Sequence, residues 1–199
     1  MCRSRVCLAA ALFSLLLFPT AGRAMEAVDA GTLRNPFTPG TVSISLTEPS
    51  FVEGAVTGPE GVVPKDPVVT NTGSAGVRVF LSVTIPKGSF RDVSSGTPVE
   101  AEGREIFSYE VLAPWEEVGE GEDLGDRMRY LYAYPLDLER GETTPPLFTS
   151  LKTVCYQEGS LSGTMKVELC AYAIQKEAAL GSPEDIYELY LAHSQEEDP

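Results

Sequence analysis

Alternation of apolar and polar residues runs through most of this chain, and it limits the possible folds more than any other feature. Every second residue is apolar in segments 41–47 and 76–85. Successive side chains of a β-strand point to opposite faces, so this period of two predicts strands with one buried face. We expect further strands at 67–70, 105–112, 127–134, 147–157 and 164–175. The chain should therefore be rich in half-buried strands.

Glycine and proline separate these segments, which is typical of antiparallel sheets with short connections. One helix is indicated near the end, where Ser182 suits the cap and Pro183 the first helical position. Ile186, Leu189 and Tyr190 then fall on one face of that helix. The sequence predicts an all-β, antiparallel two-sheet sandwich with one short C-terminal helix, formed by residues 41–194 as a single domain.

The first 24 residues have the pattern of a secretory signal peptide. Two arginines precede an apolar stretch at 6–18, and small residues lead to Ala24. The stretch is shorter than the roughly 20 residues of a membrane-spanning helix. We expect cleavage, a secreted or cell-surface location and no stable membrane anchor. An uncleaved anchor is the alternative, and residues 28–30 offer a second cleavage site.

The composition is strongly acidic. Loss of Arg3, Arg5 and Arg23 with the signal peptide would take the formal net charge from −14 to −17. Such a surface repels nucleic acids, so we expect no nucleic-acid partner. Like-charge repulsion would also make self-association sensitive to salt. The tail 195–199 has no apolar residue and is expected to be disordered.

Two cysteines, Cys155 and Cys170, remain after the signal peptide. Strands 151–157 and 164–175, joined by the turn 158–163, would form a hairpin in which both cysteines lie on the more polar faces. Export favours oxidation, so the sequence predicts a cross-strand disulfide. Two unpaired thiols are the alternative.

An acidic segment, 116–126, interrupts the strand pattern. Five carboxylates lie between Glu116 and Asp123, and the whole segment contains three glycines. This composition is typical of a mobile, solvated loop. Weak calcium binding is the alternative, because hard oxygen ligands cluster there, although the spacing fits no EF-hand.

Several segments together resemble the TasA/camelysin family of exported bacterial surface and biofilm-matrix proteins, best known in Gram-positive species. They are, in chain order, TVSISLTEP at 41–49, VTNTGSAGVRV at 69–79, Trp115, YLYAYPL at 130–136, GETTPPLF at 141–148 and LCAYAIQ at 169–175. The resemblance covers most of the mature chain. It implies a jelly-roll sandwich and a structural role in fibres of the cell surface or biofilm matrix.

The same resemblance gives a role to the leader, residues 25–40. In TasA-like fibres such a segment adds a strand to a neighbouring subunit, and here Val28, Leu33 and Phe37 are its candidate assembly residues. Self-association is the expected partnership, with other matrix or surface proteins as further partners. A merely flexible leader is the alternative.

Camelysin-like members are described as metallopeptidases, which raises an enzymatic alternative. Zinc hydrolases usually hold the ion with two or more histidines, whereas this chain has one, His193. There is no Gly-x-Ser-x-Gly elbow, and no glycine-rich loop opens a helix. We expect no catalytic residue, metal site or cofactor. A metallopeptidase and a ligand-binding adhesin remain the competing functions.

Overall fold

The computed structural model describes residues 40–52, 58–163 and 165–194, with the side chains of the final helix described as far as Glu188. All of these residues belong to one compact unit, Thr38–Pro199. The signal peptide, most of the leader and the tail 195–199 lie outside the described residues. No described helix is long and apolar enough to span a membrane.

The described chain is mostly β-structure with one short helix, as predicted. The elements in chain order are β1 (Ile44–Thr47), β2 (Val62–Pro64), β3 (Val68–Asn71), β4 (Val77–Asp92), β5 (Val99–Glu105), β6 (Phe107–Ser108), β7 (Glu116–Glu117), β8 (Glu122–Asp123), β9 (Arg127–Ala133), β10 (Ser150–Thr153), β11 (Glu168–Gln175) and α1 (Pro183–Ser194).

All strand pairs are antiparallel, and they form three sheets. The largest has the order β11-β4-β9-β7, with β8 also paired to β9 and β5 paired to the second half of β4. A two-stranded sheet contains β1 and β3, and a three-stranded sheet has the order β2-β10-β6. The β1–β3 pair shares its core with the largest sheet.

Strand β4 is the centre of the fold, and its alternation is confirmed. Its predicted inward residues are all fully buried: Val77, Val79, Leu81, Val83 and Ile85. The strand continues beyond the predicted end to Asp92, and the register shifts between Gly88 and Phe90. This irregularity lets the first half pair with β9 and β11 and the second half with β5.

The predicted hairpin of 151–157 and 164–175 is wrong. Strand β10 pairs with β2 and β6, whereas β11 pairs with β4. The connection between them is held by β4, because Ser89 and Ser162 exchange two backbone hydrogen bonds of 3.1 and 2.9 Å. The chain therefore crosses from one sheet to another at the position where a turn was predicted.

The acidic segment 116–126 is not an irregular loop either. Its strands β7 and β8 both pair with β9, and between them the Val118 N–H donates to the Leu131 carbonyl at 2.9 Å. The sequence correctly predicted that the carboxylates are exposed to solvent. It did not predict the strands, because backbone hydrogen bonding to β9 needs no apolar side chain on the outer face. The segment forms an edge of the largest sheet.

Helix α1 begins where the sequence predicted. The Ser182 hydroxyl accepts from the Asp185 N–H at 3.2 Å, and the Asp185 carboxylate accepts from the Ser182 N–H at 3.1 Å. Ile186 is buried against Phe80 and Ala133 on the outer face of the sheet. The side chains of Leu189, Tyr190 and His193 lie outside the described residues.

A turn stabilised by Asn71 follows β3. The Asn71 Oδ1 accepts from the Gly73 N–H at 2.9 Å, while Nδ2 donates to the Ala75 and Leu138 carbonyls at 2.8 Å. Leu147 and Phe148 are fully buried at the end of segment 141–148.

Candidate functional site: the seam between β1 and β11

Strand β11 is the last strand of the largest sheet, and among the described strands it pairs only with β4. The Tyr134 N–H donates to the Val79 carbonyl, so the backbone groups of Val79 face β9. Its partner in β11, Ala173, therefore lies in a non-hydrogen-bonded pair and directs its own backbone groups away from β4. Because the direction of the backbone groups alternates along a strand, the backbone N–H and C=O groups of Ala171 and Leu169 also point away from β4.

Strand β1 has a matching free edge. Val69 binds Thr144 on the far side of β3, and Val69 is the register partner of Leu46. The backbone groups of Leu46 therefore point away from β3. The same holds for Ile44, because its register partner Asn71 directs its own backbone groups to residues 141 and 142 on the far side of β3.

We call the space between these two edges the seam. The Cα atoms of β1 and β11 come within 8 Å of one another, yet no described backbone hydrogen bond joins the two strands. A strand bonded to both edges would need about 9.6 Å between them, twice the usual strand spacing. The seam must therefore widen to accept a strand between its edges.

The side chains that line the seam are apolar and incompletely covered. Ile44 and Leu46 from β1, and Leu169, Ala171 and Ala173 from β11, all pack on the main core but stay partly exposed. Their neighbours one strand further in, on β4, are fully buried. Apolar area remains at the seam for a further strand to cover.

The start of the described chain lies near the C-terminal end of β11. A Cβ on Gly40 would lie 2.8 Å from the Ala75 Cβ, and the next residue, Gly76, accepts a hydrogen bond from the Lys176 N–H at 3.0 Å. The leader thus joins the domain at one end of the seam. Its candidate assembly residues Val28, Leu33 and Phe37 lie outside the described residues.

The two cysteines are free thiols in the structure. Cys170 is exposed on the outer face of β11, in register with Ser82. Cys155 follows β10, where partial burial and the nearby Glu60 carboxylate raise the pKa of its thiol. The hairpin that was the reason for predicting the Cys155–Cys170 disulfide is not formed.

Tyrosines of β9 make a polar ladder beside the main core. The hydroxyls of Tyr132 and Tyr109 lie 2.8 Å apart, and the Tyr130 hydroxyl donates to Glu105 at 2.5 Å. Burial raises the pKa of Tyr132 to about 12, and it also raises the pKa of Tyr109. These hydroxyls stay protonated at neutral pH and bond to one another, which is a packing role.

Three carboxylates of the acidic segment, those of Glu122, Asp123 and Asp126, bind cationic side chains rather than converging on one point. Asp123 accepts from the Lys87 ammonium at 2.8 and 2.9 Å, which lowers the pKa of its carboxyl, and Glu122 pairs with Arg129. Within the described ranges, no three His, Cys, Asp or Glu side chains are grouped to hold a metal ion. The side chain of His193 falls outside those ranges.

Comparison of the chain with protein-family models, with curated proteins and with solved structures finds no match in any of the three. The proposals below therefore rest on the sequence and on the geometry of the described residues.

Sequence patterns located both edges of the seam but not the seam itself. Segments 41–47 and 164–175 were predicted as strands, and Ile44, Leu46 and Leu169 do pack on the core. Val42 and Met165, at predicted inward positions, are instead exposed and lie just before β1 and β11. The alternation of residues within a strand shows which face is buried but not which other strands it pairs with. The one available signal was the pair Ala171 and Ala173, two small residues at inward positions of an otherwise bulky strand.

Proposed function

We propose that this chain is an exported structural protein of the cell surface or biofilm matrix, and that copies assemble into fibres by strand exchange at the seam. In this account, residues 25–40 of one copy enter the seam of the next. The observation that carries the proposal is the pair of free, apolar strand edges on β1 and β11.

The energetics favour a strand in this position. Each apolar donor side chain that becomes buried contributes about 1.5–3 kcal/mol, and each backbone hydrogen bond a further 0.5–1.5 kcal/mol. The leader offers Val28, Leu33 and Phe37 for such burial. These gains must exceed the cost of ordering the leader and of widening the seam.

The finer architecture that we infer is a jelly roll. The support is that the β1–β3 pair and the β11-β4-β9 sheet enclose one common core, lined by inward residues of both. A strand in the seam would connect these two sheets through continuous pairing. Export is supported by the signal pattern of residues 1–24.

Deleting residues 25–40 from the mature protein tests the proposal. The mature chain is expected to form filaments visible by electron microscopy, and more of them at raised ionic strength, where the repulsion between subunits is screened. The deletion variant should remain folded by circular dichroism and form none. Filaments of unchanged yield from the deletion variant would refute strand donation by the leader.

A second variant blocks the acceptor instead of the donor. Ala173→Pro removes a backbone N–H that points into the seam and leaves the hydrogen bonds to β4 in place. Filament formation should be lost while the melting temperature of the monomer changes little. Ala173→Ser is the matched control, since it keeps the N–H and should still assemble.

A further inference from the structure

The two ends of the largest sheet are built differently. Strand β11 pairs with β4 over eight consecutive residues without a register shift. At the other end, β7 and β8 pair with β9 over two residues each. A long, regular strand presents a continuous row of free backbone groups, whereas two short strands with an interruption do not.

Two glycines permit the interruption. Gly119 has a φ of +68°, in a region that residues with a side chain rarely adopt. A Cβ on Gly121 would lie 2.5 Å from the ring of Tyr130, so only glycine lets the backbone pass over that ring. The backbone between β7 and β8 therefore leaves the extended conformation, and the acidic carboxylates of β7 and β8 lie on either side of this break.

Every residue of β7 and β8 is also acidic and exposed. Glu122 and Asp123 pair with Arg129 and Lys87, which ties β8 to its neighbours. The described ion pairs include no partner for Glu116, Glu117 or Glu120. Another copy approaching this end would bring the same carboxylates opposite these, which disfavours pairing.

We propose that the acidic edge, residues 116–123, prevents a second copy of this chain from pairing with this end of the largest sheet. It covers β9 with two short, like-charged strands. On the strand exchange proposed above, on which this part of the inference rests, pairing between copies then takes place at the β11 end. Association through the β11 end uses one edge of the sheet, while an open β7–β8 edge would let another copy pair beside β9, which we call sideways association. The acidic edge thus sets the geometry of assembly.

The test replaces Glu116, Glu117 and Glu120 together by glutamine in the mature chain. The matched control replaces Glu110, Glu158 and Glu177, which are exposed, lie outside the described strands and remove the same charge. We expect the edge variant to associate sideways, measured by light scattering and thioflavin fluorescence, at a concentration about tenfold below that of the wild type and the control.

Amide hydrogen exchange locates the contact in the same samples. In the associated edge variant, exchange should slow across residues 116–123. Equal association of the edge variant and the control would show that net charge alone acts, and it would overturn the proposal. No association of the edge variant would overturn it as well.

This experiment does not depend on fibre formation. Loss of filaments on deletion of residues 25–40 tests the seam, whereas sideways association of the edge variant tests the acidic edge. Repeating the edge substitutions in the Ala173→Pro background separates the two. If the charges of the acidic edge are what prevents pairing at that edge, sideways association should persist in the Ala173→Pro background.

Discussion

Gly73 shows how one residue fixes the entry to β1. A Cβ at this position would lie 2.2 Å from the Thr41 carbonyl oxygen and 2.8 Å from the Ser43 nitrogen, both of them backbone atoms. Gly73→Ala should therefore lower the free energy of unfolding by roughly 1–3 kcal/mol, measured by urea denaturation. Gly58→Ala is the control, because its Cβ would meet no atom within 4 Å. Equal stability of the two variants would show that the turn does not hold β1.

The buried tyrosine pair makes stability depend on alkaline pH. Burial holds the pKa of Tyr132 at about 12 in the folded protein, above its ordinary value of 10.0, and the pKa of Tyr109 is raised as well. A group with a raised folded pKa stabilises fully below the unfolded pKa and less as pH rises toward the folded value. Stability should thus fall between pH 10 and about 12.

Tyr109→Phe checks the origin of this alkaline loss. It removes one titrating hydroxyl, so the slope of unfolding free energy against pH should become shallower above pH 10. Urea denaturation at several pH values measures that slope. An unchanged slope would mean that other groups cause the loss.

Helix α1 depends on its cap at the element scale. Ser182 and Asp185 bond each other's backbone N–H groups. The Ser182 hydroxyl and N–H both donate to the Asp185 carboxylate, which lowers the pKa of that carboxyl. Ser182→Ala should destabilise the helix by about 1 kcal/mol and speed the exchange of its first amides. Ser182→Thr keeps the hydroxyl and should behave like the wild type. If the alanine variant exchanged no faster, the cap would not be what holds this end of the helix.

The elements also show what alternation can and cannot predict. The inward face of β4 was predictable residue by residue, because every second residue from Val77 to Ile85 is apolar. Phe80 on the opposite face breaks the alternation and is buried against helix α1. Strand β5, with the sequence VEAEGRE, was missed because its exposed face carries charges and Gly103 interrupts it. Hairpin pairing of β10 with β11 was predicted from proximity in sequence, which long-range pairing with β2, β6 and β4 overrode.

The acidic segment illustrates the same limit for the candidate site. Its composition predicted exposure correctly, yet backbone hydrogen bonds to β9 give it a place in the sheet. The seam could not be predicted either, since both of its edges look like ordinary half-buried strands. Only the three-dimensional arrangement shows which strand edges have no hydrogen-bonded partner strand among the described residues.

At the scale of the whole molecule, the largest sheet has one open end and one closed end. The open end, β11, faces the free edge of β1 across partly exposed apolar side chains. The closed end carries short acidic strands and glycines. This polarity is the physical basis on which we propose assembly of copies in a single direction.

Hydrogen exchange of the mature protein before and after assembly tests this account most directly. A strand that enters the seam must bond the outward amides of Leu169, Ala171 and Ala173. Their exchange, and that of Ile44 and Leu46, should slow strongly in filaments while residues 116–123 exchange as in the monomer. Filaments that protect residues 116–123 and leave β1 and β11 unchanged would contradict the account.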